Sequence, residues 1–337
     1  MSTDVWYNNA MKRFLICILC AALVVVTAGC ARGENGGTDA EPQVVVPEEE
    51  TVEFTVGQIQ EFGRNDASVW ELLQDLLPNL IVYRGAGGMF QYASIDRTLP
   101  QSDYDWTNLV EVNGSPREVQ YVVDGEAVSI KGIDVSTYQG QIEWDKVAAS
   151  GVKFVFIRLG YRGYESGRMV VDDRFEENIK GALNNGIAVG VYFVTQAISV
   201  EEAVEEARFV MENIRPYNVT WPVVLDIEDA ASTTARTADL TQQQRTDHAI
   251  AFCETIKEGG YTPMLYCNIR WFIEKLDISR ITEYDKWFAQ YFRKPFFPYA
   301  FQVWQYSSTG AIDGIKGNVD YNISFVDYGN LPEETEE

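Results

Sequence analysis

The chain is short of histidine and of positive charge. It has one histidine, His248, in 337 residues, and 27 Lys and Arg stand against 50 Asp and Glu, a net charge of -23. Each shortage excludes a class of chemistry. Hydrolases built on a Ser-His-Asp or Cys-His pair need a placed imidazole, and zinc hydrolases usually need two or three. A lone histidine inside the helix-like segment TQQQRTDHAIAF supplies neither. With so few cations there is little to neutralise phosphates, so nucleic acid is not an expected partner. No glycine-rich phosphate loop follows the first regular strand, which argues against a nucleotide enzyme. No cofactor and no metal are called for. Cysteine is also scarce: Cys17, Cys20 and Cys30 lie near the N-terminus, and only Cys253 and Cys267 lie in the body of the chain. Spacing alone does not pair those two, and buried thiols are the preferred reading over a disulfide.

The longest apolar run, residues 14–28 (FLICILCAALVVVTA), is too short to span a bilayer comfortably but suits a signal-peptide core. It follows the basic start Met11-Lys12-Arg13 and ends in Thr27-Ala28-Gly29-Cys30. That ending resembles a bacterial lipoprotein box, with Thr27 departing from the usual leucine. Residues 1–30 are therefore read as a signal peptide with Cys30 as the lipidated residue; an ordinary signal peptide or an uncleaved anchor is the other reading, and all three export the protein. The protein is expected to be exported and held at the cell membrane by a lipid, facing the wall. Residues 31–53 hold seven acids and one arginine between Gly and Pro residues, the composition of a solvated tether. Residues 327–337 form a loose acidic tail.

Two regions remain. Residues 54–129 form a small region of unknown role. VWELLQDLLPNLIVY starts as a helix broken at Pro78, and GGMFQYASIDRTL and REVQYVVDGEAV read as strands, the second ending in an Asp-Gly turn. From residue 131 the pattern becomes regular. WDKVAASG runs through Gly151 into KFVFIRLG, FEENIKGALNNG through Gly186 into IAVGVYFV, and HAIAFCETIKEGG through Gly260 into YTPMLYCN. Glycine just past a helix end is the expected left-handed cap. Ala203, Ala207, Val210 and Ile214 mark one helix face, and Thr241 with Gln244 makes a capping box. Alternating strands and helices imply a parallel sheet. Later strand candidates, KWFAQY, AFQVWQYS and NVDYNIS, crowd together without room for helices. A barrel of about eight strands, helix-covered early and bare late, fits better than an open sheet.

In a parallel barrel the reacting groups sit at the C-terminal strand ends. Those ends carry Asp134 in GIDVS, Tyr192 in GVYFV, Asp226 and Glu228 in LDIED, and Asp320 in NVDYN. Asp226 and Glu228 are two apart on a strand and so share a face. Two close carboxyls at an apolar strand end cannot both ionise cheaply, and one becomes a proton donor beside a lasting anion. Glycoside hydrolysis requires that arrangement. Helix capping or a divalent cation is the other use of an isolated D-x-E, but four acids at one rim favour catalysis. Trp287, Tyr291, Trp304 and Tyr306 along the later strands suit stacking on sugar faces, although core packing is the better single reading of any one of them.

GIDVSTYQG, GVYFVTQA, VVLDIED, WFAQY, VWQYSSTG and GNVDYN, in this order over residues 131–326, resemble glycoside hydrolase family 25, the Chalaropsis-type lysozymes. The resemblance implies a flattened, TIM-like β/α barrel of eight strands and five helices. It implies cleavage of the β-1,4 bond between N-acetylmuramic acid and N-acetylglucosamine in peptidoglycan, without a cofactor. By motif, Glu228 is similar to the general acid, Asp226 to its partner carboxylate, and Asp134 and Asp320 to two further acids of the pocket. Tyr192, Trp287 and Trp304 match sugar-contacting positions. One departure stands at Phe193, where many members have histidine, which leaves any polar contact from there in doubt. The alternatives are a wall-binding lipoprotein without activity and a glycosidase of the same fold acting on another acetamido glycan.

Overall fold

The computed structural model describes residues 77–330, except 86, 87, 89, 115 and 231. The signal peptide, Cys30, the acidic linker, the start of the 54–129 region and the end of the acidic tail lie outside the described residues.

The centre is a closed barrel. Strands β6 (Ile130–Val135), β7 (Phe154–Arg162), β9 (Ala188–Val194), β10 (Val223–Asp226), β11 (Pro263–Asn268), β12 (Asp285–Ala289) and β13 (Val303–Gly310) pair in parallel in chain order. Strand β14 (Val319–Ser324) runs antiparallel between β13 and β6 and closes the ring. A short strand, β8 (Met169–Val171), folds back on the end of β7 outside it. Helices α1 (Trp144–Ala149), α2 (Phe175–Asn184), α3 (Val200–Ile214) and α4 (Gln242–Glu258) make the early crossovers, and a π-helical turn, Trp271–Lys275, follows β11. This is the flattened TIM-like α/β barrel that the sequence implies.

Local chemistry explains the crossovers. Gly151, Gly186 and Gly260 take φ of 84°, 70° and 82° after α1, α2 and α4, where a side chain would be strained. Thr241 and Gln244 cap α4 reciprocally. Ala203, Ala207, Val210 and Ile214 of α3 are buried on one face. Cys253 and Cys267 are buried free thiols.

Strand parity separates two cores. Val155, Ile157, Val189, Val191, Val223, Leu225 and Leu265 point outward into the helix layer. Phe154, Phe156, Val224, Met264, Trp287 and Val303 fill the barrel interior, with Trp221 and Tyr328. Burial of each phenyl ring contributes about 2–3 kcal/mol. Gly132 leaves room for this plug, because a Cβ there would lie 2.2 Å from the Phe154 ring.

The late strands lack α-helices, and the N-terminal strands cover them. These are β1 (Leu80–Arg84), β2 (Phe90–Ser94), β3 (Leu109–Gly114), β4 (Arg117–Val123) and β5 (Glu126–Ala127). Leu80–Arg84, placed after the Pro78 break, is strand. Asp124 and Gly125 make the hairpin turn with φ of 52° and 87°. Trp106 stacks on Phe301 at 6.1 Å, and Tyr104 on Phe325 at 4.1 Å. Tyr104 Oη donates to the Phe301 carbonyl at 2.9 Å, and Arg117 donates to the carbonyls of Phe292 and Arg293. The described strands of the region of unknown role thus cover the flank that helices leave bare.

Candidate active site

The inward residues at the C-terminal ends of the barrel strands change from apolar to polar within one layer. On β7, Phe154 and Phe156 lie in the plug and Arg158 is next on the same face. On β9 the same face carries Tyr192, and on β10 it carries Val224 and then Asp226. Ile227 points outward into the helix layer and extends the strand by one hydrogen bond to the Tyr266 carbonyl, so Glu228 continues the inward set. Here it feels the charges of Arg158 and Asp320. Asp134 and Asp320 are direct cross-strand partners of β6 and β14. All four predicted acids therefore meet at one mouth.

The acids differ in their partners. One oxygen of Asp134, Oδ2, accepts from Gln305 Nε2 and from Asn322 Nδ2, each at 2.8 Å. Asn322 is held in turn by Trp287 Nε1 at 2.8 Å. Gln305 Oε1 accepts from the hydroxyls of Tyr266 at 2.8 Å and Tyr291 at 2.9 Å. Burial, then the Asp320 charge, pushes the Asp134 carboxyl well above the usual carboxylate range, and burial raises Asp320 too. Asp226 is buried, and among the described residues its Oδ1 has no hydrogen-bond partner. Burial, then Glu228 and Asp134, pushes it well above the usual range, with Arg158 opposing. Glu228 is exposed at the rim; partial desolvation and Asp229 raise it, again against Arg158.

Arg158 is the cation of this mouth. Asp172, whose side chain is fully buried, holds it at 2.6 Å and also accepts from the Thr137 backbone N–H at 3.1 Å. One carboxylate thereby ties the arginine to the turn that follows Asp134. The Arg158 guanidinium lies 5.1 Å from the ring of Tyr138, a residue 84% exposed beside the mouth.

Several predicted aromatics stand elsewhere than expected. Trp287 is 1% exposed in the plug, beneath the mouth, where it meets Phe156, Tyr266 and Tyr192 and orients Asn322. Trp304 and Tyr306 point out of the barrel. Trp304 donates to the Gln290 carbonyl and packs against Trp106, and Tyr306 lies in the outer core. Both alternate with the inward Val303 and Gln305, so strand parity takes them away from the site. Tyr291 is 52% exposed and reaches the site through its hydroxyl. Phe193 faces α3, in contact with Phe209, so its position offers the mouth no polar group. The sequence reading missed Arg158, Tyr266, Gln305 and Asn322. Two had a signal: Arg158 follows Phe154 and Phe156 at intervals of two, and Asn322 follows Asp320 likewise.

A family profile described as Glycosyl hydrolases family 25 matches residues 133–315, which include Asp134, Asp226 and Glu228 but not Asp320. The chain is 28% identical over 229 residues to Lysozyme M1 of Streptomyces globisporus, covering 64% of this chain and 74% of that one. In fold it is similar to the modular autolysin LytC from Streptococcus pneumoniae, with a TM-score of 0.53 and 24% identity; the match spans 73% of this chain and 56% of that chain. It is also similar in fold to a family 25 glycosyl hydrolase from Bacillus anthracis, with a TM-score of 0.52, 23% identity and coverage of 62% and 93%. With the profile spanning more than half of its length and the acids gathered at the barrel mouth, the chain belongs to glycosyl hydrolases family 25.

Proposed function

We propose that this protein is a muramidase that hydrolyses the β-1,4 bond between N-acetylmuramic acid and N-acetylglucosamine in peptidoglycan. The reading rests above all on the pair of unlike carboxyls at the C-terminal end of β10, one accessible at the rim and one buried with an open oxygen. Membership of the family and the likeness to a lysozyme support it.

In this reading Glu228 is the general acid and Asp226 its partner. A bound glycan covers Glu228 and removes its water, which raises its affinity for a proton further. The proton of the coupled pair then resides on Glu228 and leaves Asp226 as the anion. Glu228 gives that proton to the glycosidic oxygen as the C1–O bond breaks, the sugar ring takes up oxocarbenium-like charge, and water then supplies the new C1–O bond and a proton that restores the acid. Asp226 supports this charge and orients the 2-acetamido group. Asp134 and Asp320 shape the opposite wall. The chemistry calls for no cofactor.

Export and anchoring belong to the same proposal. The basic start, the apolar run and the Ala-Gly-Cys ending put a lipid on Cys30 and the barrel outside the membrane, next to its polymer. Mass spectrometry of muropeptides released from defined peptidoglycan tests the activity: products with a reducing muramic acid end are expected, and reducing glucosamine ends would overturn the reading. Labelled fatty acid should enter the wild type and not Cys30→Ala; equal labelling would exclude the anchor.

A further inference from the structure

Beside the mouth lies a second cleft, of about 590 Å³, that the mechanism does not use. It opens beyond the ends of β10 and β11, and its lining includes Asp229, Thr237, Arg245, Arg270, Trp271 and Lys275. Asp229 is the residue after Glu228, so the cleft adjoins the proposed acid along the chain.

Its chemistry is opposite to that of the mouth. In a chain of net charge -23 it gathers three cations. Arg270 is paired with Asp229 and lies 3.9 Å from Glu274. Among the described residues Arg245 and Lys275 take part in no salt bridge, and the Arg245 side chain donates one hydrogen bond, to the Thr237 carbonyl. Arg245 lies over the ring of Trp271 at 5.1 Å, a cation–π contact. Among the described residues two buried donors beneath the cleft lining lack acceptors, Arg245 Nε and the indole N–H of Trp271, a residue 4% exposed. Both residues also line a small chamber of about 30 Å³, which shares Thr237 with the cleft. The Asp229 carboxylate is shared between Arg270 and the field at Arg245, so the three cations outnumber the one acid of the lining and suit an anion with planar acceptors.

We propose that this cleft takes a carboxylate of the peptidoglycan stem peptide. The proposal rests on the muramidase reading. The stem peptide hangs from the lactyl group of N-acetylmuramic acid, the sugar whose anomeric bond is cut. A site next to Glu228 is therefore where that peptide would leave the glycan. A carboxylate there meets the Arg245 guanidinium and the Lys275 ammonium, and the acidic mouth repels it from the reacting centre.

The test uses uncrosslinked peptidoglycan strands in two forms, with stem-peptide carboxylates free or converted to methylamides. The readout is the ratio of kcat/KM between the two, followed by release of reducing ends. The wild type should prefer the free carboxylates by about tenfold, the size of one charge-assisted hydrogen bond. Arg245→Gln should bring the ratio close to one, mainly through KM on the free form, and Lys275→Gln should lower it in part. A wild-type ratio of one would overturn the proposal. So would an Arg245→Gln variant that loses activity equally on both forms. If Arg245→Gln does not fold, the wild-type ratio and Lys275→Gln decide the matter. Failure to cleave either form would overturn the muramidase reading and this proposal with it, whereas cleavage with unchanged ratios would overturn the cleft alone.

Discussion

The two walls of the barrel mouth carry the same kind of residue in unlike states. On the β6–β14 wall, Asp134 has two amide donors on one oxygen and a carboxyl neighbour across the ladder. On the β10 wall, Asp226 has an oxygen with no partner among the described residues, and Glu228 stands open at the rim. A carboxyl whose lone pairs are already engaged is fixed in place and acts by its field. One with a free oxygen, or with access to solvent, can meet a ligand or pass a proton. In the proposed mechanism proton transfer and the anion beside it fall to the β10 end, and β6 and β14 shape the opposite wall; substitutions on each side probe that division.

The largest effect is expected at Glu228. Glutamine keeps the shape but cannot transfer a proton, so Glu228→Gln should lower kcat by about two to four powers of ten and leave glycan binding in place. Reducing-end release and a peptidoglycan pull-down measure the two quantities. If Asp320→Asn fell that far while Glu228→Gln kept most of its turnover, the walls would have to exchange roles.

Asp226→Asn comes next and carries two opposite signs. Loss of the anion should lower kcat by about two to three powers of ten, as for other preorganised electrostatic groups. Stability should rise. A carboxyl whose folded pKa is raised contributes stability below its unfolded pKa and loses it as pH climbs through the folded value. Asp226 is such a group, so at neutral pH its carboxylate opposes folding. The gain in Tm should accordingly be clear at pH 7 and small at pH 4. Thermal melts of both proteins at the two pH values would show it; an equal or greater gain at pH 4 would deny the burial argument.

A smaller effect is expected at Asp172, which touches no substrate in this reading and acts through Arg158. Asp172→Asn should loosen the arginine and lower kcat about tenfold, the scale of one charge-assisted contact. The pH profile separates this from a general structural loss. Arg158 draws the Glu228 carboxyl downward, so a displaced Arg158 lets that pKa rise. Activity needs the protonated acid, and the alkaline limb of kcat should then move to higher pH. An unmoved limb with the same loss would make Asp172 merely structural.

How far the sequence foretold this site depends on parity. The D-x-E of β10 was legible because an apolar run, PVVL, leads directly into it and both acids fall on one face. The later strands were not, because both faces of a barrel strand are buried and a shift of one residue exchanges inside for outside. VWQY offers two aromatics and a glutamine, and composition favours the aromatics as sugar platforms. The ladder instead turns Gln305 inward and sends Trp304 and Tyr306 to the outer core. The same blindness hid Tyr266, whose hydroxyl meets Gln305 across β11–β13. The helix caps were readable because they are local, whereas the Asp134–Asn322–Trp287 chain joins residues 188 and 35 positions apart. The N-terminal strands were opaque for a further reason: their task is to cover a surface whose lack of helices is evident only once the barrel closes.

That flank carries the last prediction, and the smallest expected effect on turnover. Trp106 is partly buried, stacked on Phe301 and edge-on to Trp304. It lies on the outer side of β13, while Gln305 on the inner side holds Asp134. Trp106→Ala removes an indole that no neighbouring helix can replace. Its cost should be about 3 kcal/mol, the low end for such a truncation because the ring is only partly covered. For a domain of this size that is a fall in Tm of about 6–10 °C. The support wall depends on β13 and β14 staying in register, so activity should be close to normal at 25 °C and fail early on heating. A substitution on the β10 side, such as Phe209→Ala beside Phe193, should destabilise comparably without involving the Asp134 network. If both variants lost heat resistance alike but Trp106→Ala alone raised KM at 25 °C, the N-terminal strands would be shaping the β6–β14 wall as well as covering it. Equal KM values would limit them to cover.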